Sequence, residues 1–567
     1  MSDGTTHIIV YKFETITTKY DFIMKKQSII SKAILTIAII LTTCLSTFAH
    51  DFEVNGIYYT IIDFENNKAA VTYKGNPEYG NTHLNYPDEY IGDVVIPSSV
   101  TYNNTLYSVT SIGNDAFHAC SKVTSVKIPN SVKIIGASAF SGCSSLSSIS
   151  IGDSVSIIGN NAFCACSNLR SITIPNAVTN IGLEAFLSCT NLEEVNFNAE
   201  NCTRMGQDAL FAFNGCPKLS KLNIGNKVNT IPDRAFCNCT GLTSIIIPNS
   251  VTHIGFLAFG YTNISSMNIS NSVTSISPQA FNETPWLNNQ PDGLIYINDV
   301  LYLYKETTPN NTSAAIKEGT VSISPEAFAD CTGINSIILP NTVTTIGSYA
   351  FVSCKMNSIV LGKSVDVIEE GAFKYAAKLT KIVSLNPIPP TSTHSSSIYV
   401  TNYSDATLFV PNDSYEQYYN HEIWGKFNNI QKIELLVSNI SLENSSIKIE
   451  KGEKSTLNAT LTPSNATLTD IIWISENPYI ATVNNDGTIS GISDGNTKIT
   501  GYTIDGSGVS ISCDVTVGIG GIESVENNDN ATEVARYDIH GRKLSKPAKG
   551  INIVKMSDGT THKVFVK

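Results

Sequence analysis

One dipeptide constrains this chain more than any other feature. Ala-Phe recurs eleven times, with its Phe at positions 117, 140, 163, 186, 213, 236, 259, 281, 328, 351 and 373. The spacing is 22 or 23 residues, apart from one step of 27 and one of 47. A period of that length marks a solenoid, because a single unit cannot bury its apolar side and stacked units can. The unit Ser131–Asp153 shows the pattern, with Val132, Ile135, Ala139, Phe140, Cys143, Leu146, Ile149 and Ile151 as its apolar positions. Leu146-x-x-Ile149-x-Ile151 reads as a short strand with its isoleucines inward. The Pro-Asn or Gly-Asp step after it is turn chemistry. Val132-x-x-Ile135-Gly136 reads as a second extended segment, with the glycine permitting a bend. The Ala-Phe segment reads as a single helical or irregular turn. The 47-residue step predicts an irregular coil or insertion between Phe281 and Phe328.

Charge narrows the function. Only 15% of residues are charged, and the net charge is −12. A nucleic-acid binder needs a basic face, so nucleic acid is excluded as a partner. Ser, Thr and Asn must cover the surface instead.

The N-terminal region carries an export pattern. Met24-Lys25-Lys26 opens a basic segment, Ile29 to Thr43 is an interrupted apolar run, and Thr47-Phe48-Ala49 supplies small residues for cleavage after Ala49. A lipoprotein anchored at Cys44 is the alternative. Met1 to His7 repeats Met556 to His562 letter for letter, so residues 1–23 are expected to be an upstream extension and Met24 the true start.

The repeat unit x-S-V-T-x-I-G-x-x-A-F-x-x-C-x-x-L-x-S-I-x-I-P, nearly whole at Asn249–Phe259 and Asn341–Leu361, resembles the leucine-rich repeats of BspA-like bacterial surface proteins. Leu461-Thr462-Pro463, Ile472-Trp473, Ile480 to Val483, Asp486 to Ile489 and Cys513 to Val517 resemble bacterial Ig-like domains of group 2. Tyr537-Asp538-Ile539-x-Gly541-Arg542-Lys543-Leu544, with Lys549 to Val554 and Lys563 to Lys567, looks like the sorting domain of the type IX (Por) secretion system. The fold expected is therefore mainly β: a leucine-rich-repeat-type solenoid of about 23-residue coils, an Ig-like β-sandwich and a small β C-terminal domain. The expected boundaries are a signal peptide at 24–49, a cap at 50–107, the solenoid at 108–385 with an irregular insertion at 282–320, and a second cap at 386–432. The Ig-like domain follows at 433–517, a linker at 518–530 and the sorting domain at 531–567.

Catalytic chemistry finds no foothold in the sequence. Eight cysteines sit three residues after the repeat Phe, where other coils carry Thr262, Thr284 or Ala376, so the position reads as a small buried residue and not as a disulfide ladder. Cys164-x-Cys166 and Cys237-x-Cys239 lie three coils apart and cannot share a zinc. Gly491-Ile492-Ser493-Asp494-Gly495 matches G-x-S-x-G but falls in a β-turn, not at a strand-to-helix elbow. The reading is no enzyme, no cofactor and no metal.

What remains is surface. The outward strand positions form two rows down the stack: Ser125, Ser148, Ser171, Glu194, Lys221, Ser244, Ser266, Ser336, Ser358, and Lys127, Ser150, Thr173, Asn196, Asn223, Ile246, Asn268, Ile338, Val360. Ile246, Ile338 and Val360 are the apolar candidates for binding. Trp286, Tyr296, Tyr302 and Tyr304 form a second candidate cluster, the three tyrosines sharing one strand parity near a turn at Asn298-Asp299. Resemblance to BspA-like proteins implies adhesion to a host extracellular protein or a bacterial surface partner. The sorting resemblance implies a secreted or outer-surface protein of a Gram-negative bacterium and adds the type IX machinery as a partner, and glycan or nutrient capture is the alternative function.

Overall fold

The computed structural model describes residues 50–75, 89–206, 211–306, 312–392, 397–398, 400–518, 532–557 and 559–566. The expected signal peptide, the Cys44 anchor, residues 1–23 and nearly all of the expected linker lie outside them. Two compact units divide the chain. One holds everything up to Val273 with Gln279–Asn289, and the other Thr274–Pro278 with everything from Gln290.

In the first unit each coil contributes three ladders. The strands Ser171–Ile174, Glu194–Phe197 and Lys221–Ile224 pair in parallel and in register, and Gly92–Val95 leads Val123–Lys127 and Ser148–Ser150 in the same way. Two-residue strands, Ile134–Ile135, Ile157–Ile158, Asn180–Ile181 and Arg204–Met205, make the second ladder. Ile149 stays half-buried, while Ile172 and Ile174 are sealed inside. Gly136 is needed for close approach more than for a bend. A Cβ there would lie 2.6 Å from backbone atoms of Gly113 and Asn114.

Of the two forms expected for the Ala-Phe segment, the structure has the irregular turn. Residues two before and two after the Phe adopt positive φ, as Asp115 and Ala119, Asn161 and Ala165, or Glu184 and Ser188. These left-handed corners turn successive peptides the same way along the stack. The N–H groups of Asp115, Phe117 and Ala119 donate to the carbonyls of Ala137, Ala139 and Ser141 in the next coil, at 2.7–2.9 Å. The rings behind this ladder stack nearly parallel, with centroids 4.8 Å apart for Phe117–Phe140 and 5.2 Å for both Phe140–Phe163 and Phe163–Phe186. At the start of the unit the hairpin Phe52–Val54 with Ile57–Asp63 leads through Lys68–Thr72 into Thr105–Ile112, and Tyr90 sets its ring 4.4 Å from Phe117.

The second unit shows what fills the irregular step expected between Phe281 and Phe328. An antiparallel hairpin, Gly293–Ile297 with Val300–Lys305, is built into a coil whose Val300-Leu301 and Thr312–Ala315 pair in parallel with the next coil. Tyr304 stands 23 residues after Phe281 and occupies the Phe site. Its ring lies 5.5 Å from Phe328, and its N–H donates to Ala327 O at 2.8 Å, as Phe117 N–H does to Ala139. The strand ladder runs on through Ile334–Ile338, Ser358–Leu361, Lys381–Ser384 and Thr407–Pro411 to Asn429–Ile433. Trp424 closes that end, fully buried, its Nε1 donating to Pro390 O at 2.8 Å.

The Ig-like region is a sandwich. Ser446–Ile449, Ser510–Val517, Gly495–Thr503 and Ile471–Ser475 form one sheet, and Lys454–Thr456, Thr488–Gly491 and Ala481–Val483 another. Trp473, Ile489, Ile499, Cys513 and Val515 fill the space between. Four antiparallel strands, Lys543–Leu544, Glu533–Asp538, Gly550–Met556 and Thr561–Val566, complete the described chain.

Candidate binding surfaces

The two outward rows have different fates in the two units. In the first they face solvent and satisfy one another. Asp93 accepts from Ser125 and Thr124, and Asn196 donates to Thr173. Asn223 donates to Glu194 at 2.6 Å and to Asn196 at 2.7 Å, while Lys221 pairs with Glu194 at 2.8 Å. In this polar field Ile246 is 68% exposed, between Asn223 and Asn268 of the same row.

In the second unit the Ig-like region lies on the rows. Leu468, Ile472 and Ile504 pack with Val360, Val383, Phe409 and Ile433, and Ile338 and Leu385 pack against the same cluster. Around this apolar centre Lys381 pairs with Asp470, Ser313 Oγ donates to Asn485 Oδ1 at 3.2 Å, Asn485 Nδ2 donates to Ser336 Oγ at 3.4 Å, and Tyr479 OH donates to Asp292 at 2.8 Å. Ile338 and Val360, read from sequence as accessible, are therefore committed to an internal contact, and only Ile246 of the three is open. The signal was in the sequence. The second row turns from Asn196, Asn223 and Asn268 to Ile338, Val360, Val383 and Phe409 where the sandwich sits.

The aromatic cluster is likewise occupied by packing. Tyr302 is buried, and Tyr304 belongs to the ring stack, its hydroxyl pushed up to about 12 by burial. Tyr296 OH accepts the N–H of Lys317 at 3.0 Å. Trp286 lies on the four-residue helix Pro285–Asn288, edge-on to Phe281 at 5.6 Å. The expectation of three tyrosines on one accessible face is not what the structure places.

The cysteine ladder has a bonding role. The thiols of Cys143, Cys166 and Cys189 donate to the Phe carbonyls of the preceding coil, Phe117, Phe140 and Phe163, at 3.1–3.2 Å. Thr262 and Thr284 hydroxyls donate to the Phe carbonyls of their own coils. Burial pushes the thiols of Cys143 and Cys166 far up and that of Cys237 to about 12, so they remain protonated. All described cysteines are free, and among the described residues no three His, Cys, Asp or Glu side chains converge as a metal set.

One group escaped the sequence reading. Glu89, beside an open groove of about 600 Å³ lined also by Tyr59, Ile91 and Val95, has its carboxyl pushed up to about 7 by burial, against the N–H of Lys74 that donates to it. No spacing pattern marks it, because its burial comes from long-range packing.

The BspA type leucine rich repeat region model matches residues 97–212, 209–290 and 300–420, together more than half the chain, and the bacterial Ig-like domain (group 2) model matches 436–511. An Ig-like virion protein of Serratia phage KSP90 is 40% identical over 82 residues, 14% of this chain; the chain spans 31% of that curated relative. Among solved structures, a leucine rich cell surface protein from Faecalibacterium prausnitzii is 25% identical over 68% of this chain and 94% of its own, with TM-score 0.30. A leucine-rich repeat protein from Bacteroides ovatus is 24% identical over 68% and 100%, with TM-score 0.31. The pneumococcal vaccine antigen PcpA is 19% identical over 68% and 98%, with TM-score 0.29.

Proposed function

Because the chain belongs to the BspA-type leucine-rich repeat family, we propose that it is a non-enzymatic adhesin, secreted or held at the outer surface of a Gram-negative bacterium. Its partner is a host extracellular protein or a surface protein of another bacterium. The observation that supports a binding face is the contrast between the two units: the strand rows are used internally in one and left open in the other. The open rows carry hydrogen-bonding groups on a rigid ladder, with Ile246 as the apolar anchor. A net charge of −12 speaks against nucleic acid. Among the described residues no helix is long and apolar enough to cross a membrane. The C-terminal four-stranded sheet acts as the type IX sorting signal on this reading, so deletion of Glu533–Lys567 traps the protein inside the envelope. Normal surface display of the truncated chain defeats the export reading.

Binding is tested with the chain from residue 50 on an array of extracellular-matrix and bacterial surface proteins. Ile246→Asp should weaken the strongest protein hit about tenfold or more, with an unchanged melting curve. Equal binding by the variant removes the site from this face.

A further inference from the structure

The cap at the start of the first unit closes one ladder and leaves another open. The strands Lys68–Thr72, Ile57–Asp63 and Phe52–Val54 extend the sheet that holds Ile134–Ile135 and its successors. The sheet of Gly92–Val95, Val123–Lys127 and Ser148–Ser150 has no such cover. Among the described residues no strand pairs with the outer edge of Gly92–Val95. This edge borders the groove of about 600 Å³ beside Glu89, which is lined also by the hairpin turn Val54–Ile57. We propose that the edge receives an extended, basic segment of a partner protein, which adds to the sheet as a strand.

The open backbone groups select the ligand class. Ile96 N–H donates into the sheet, to Lys127 O at 3.0 Å. Alternation along the strand turns Val94 the same way, and it turns the N–H and C=O of Asp93 and Val95 out of the sheet. A donor and an acceptor on one residue, repeated two residues on, are what an extended polypeptide backbone completes. A sugar, a lipid head group or a single water does not carry that repeat. Pro97 is next on this parity and has no N–H, so pairing stops there and an added strand covers about five residues.

The side chains narrow it further. Ile91 and Val95 are each 65% exposed, where the side chains of an added strand would pack on them. Asp93, between them, is tied back along the sheet by the hydroxyls of Ser125 and Thr124, which donate to it at 2.6 and 2.8 Å. Sheet edges are ordinarily blunted by charge. The last strand of the other unit's ladder, Asn429–Ile433, follows that rule with exposed Gln431 and Lys432, and the Gly92–Val95 edge does not. The groove lining holds two carboxyls, Glu89 and Asp93, and no Lys, Arg or His. Burial pushes the Glu89 carboxyl up to about 7, and a ligand ammonium beside it would offset that burial. A second copy of this edge would bring two more carboxyls and no cation, so like charge opposes self-pairing.

The test uses the chain from residue 50 and a labelled peptide, Thr-Val-Lys-Val-Lys-Val-Thr. Fluorescence anisotropy should show saturable binding. Hydrogen–deuterium exchange read by mass spectrometry should slow in the segment holding Asp93 and Val95 and not in Asn429–Ile433. Glutamate in place of both peptide lysines should weaken binding about tenfold or more. N-methylation of the peptide's central residues removes its backbone donors and keeps its side chains, and it should abolish binding. Val95→Pro removes an outward N–H and none that reaches Val123–Lys127, so it should weaken binding about tenfold with an unchanged melting curve. If Val95→Pro does not fold, the methylated peptide decides alone. No saturable binding, protection confined to other segments, equal affinity of the methylated or the glutamate peptide, or a folded Val95→Pro that binds as tightly each overturns the proposal. So does a dimer of the unliganded chain whose protected amides include those of Asp93 and Val95, because the edge then belongs to a second copy.

Discussion

Replacing Phe140 with Ala tests the core of this fold most directly. The ring is fully buried and lies between Phe117 and Phe163, at 4.8 and 5.2 Å and within 10° of parallel to both. Removing a buried Phe costs about 3–5 kcal/mol, and two stacked neighbours that cannot collapse inward place this site in the upper half of that range. Cys143→Ala is the internal control, because it deletes a small buried thiol and one weak hydrogen bond to Phe117 O. It should cost about 1–2 kcal/mol. With a urea slope of about 2–3 kcal/mol/M, the Phe variant should lose roughly 1.5 M in midpoint and the Cys variant about 0.5 M. Far-UV circular dichroism in urea reads both, under reducing conditions and without them. A Phe140→Ala midpoint no lower than that of Cys143→Ala would refute the stack as the main source of stability. A Cys120–Cys143 or Cys143–Cys166 disulfide found by mass spectrometry would refute the free-thiol reading.

Three further outcomes follow from the geometry. Tyr304→Phe should be nearly neutral and Tyr304→Ser should cost about 3–5 kcal/mol, measured in the same urea titration, because the ring holds a Phe site in the stack. Val383→Asp places a charge under Leu468, Ile472 and Ile504 and should release the Ig-like region, which faster limited proteolysis between Ile433 and Asn439 would report. Glu89 has its folded pKa raised from 4.5 to about 7, so its stabilising contribution is complete below about pH 4.5 and is lost as pH rises through 7. Glu89→Gln should therefore melt like the parent chain at pH 4 and above it at pH 8, and coincident melting curves at pH 8 would count against the burial of that carboxyl.

The solenoid was legible because its signal is periodic and local. Phe, Ile and Gly recur at fixed offsets, and each offset maps to one inward position. The sequence left open whether the Ala-Phe segment is a helical or an irregular turn, because its geometry depends on paired left-handed residues. These are filled by Asp, Ala, Asn, Glu and Ser as often as by Gly, so no composition cue marks them. The coil expected between Phe281 and Phe328 had no residue assigned to its Phe site for a similar reason. Tyr replaces Phe and Leu303 replaces Ala, so the dipeptide disappears although the period of 23 survives. The aromatic candidates failed with it, since strand parity says which side chains share a face but not whether that face is covered. The row Ile338, Val360, Val383, Phe409 shows the same limit: its apolar character was visible, while the sandwich that covers it is contributed by residues about 100 positions later.

The outward rows can vary because nothing in the stack depends on them. Coil-to-coil bonding runs through backbone ladders, ring stacking and inward isoleucines, so a change from Asn to Ile on the outer row leaves the rung intact. Serine at 125, 148, 171, 244, 266, 336 and 358 then reads as the unspecialised state, and departures from it mark use. In the second unit Ile338, Val360, Val383 and Phe409 pack toward the Ig-like region, and Lys381 on the serine row pairs with its Asp470. In the first the departures are the ion-paired Glu194 and Lys221, the asparagines at 196, 223 and 268, and Ile246, which face no part of their own unit and are mutually satisfied or exposed. Asparagine side chains that bond along the row hold their amides in fixed orientation, so a partner docking there loses little conformational freedom on that side. An adhesive contact centred on Ile246 would thus combine one desolvated anchor with preordered polar neighbours, and its affinity should depend far more on Ile246 than on any one serine of the rows.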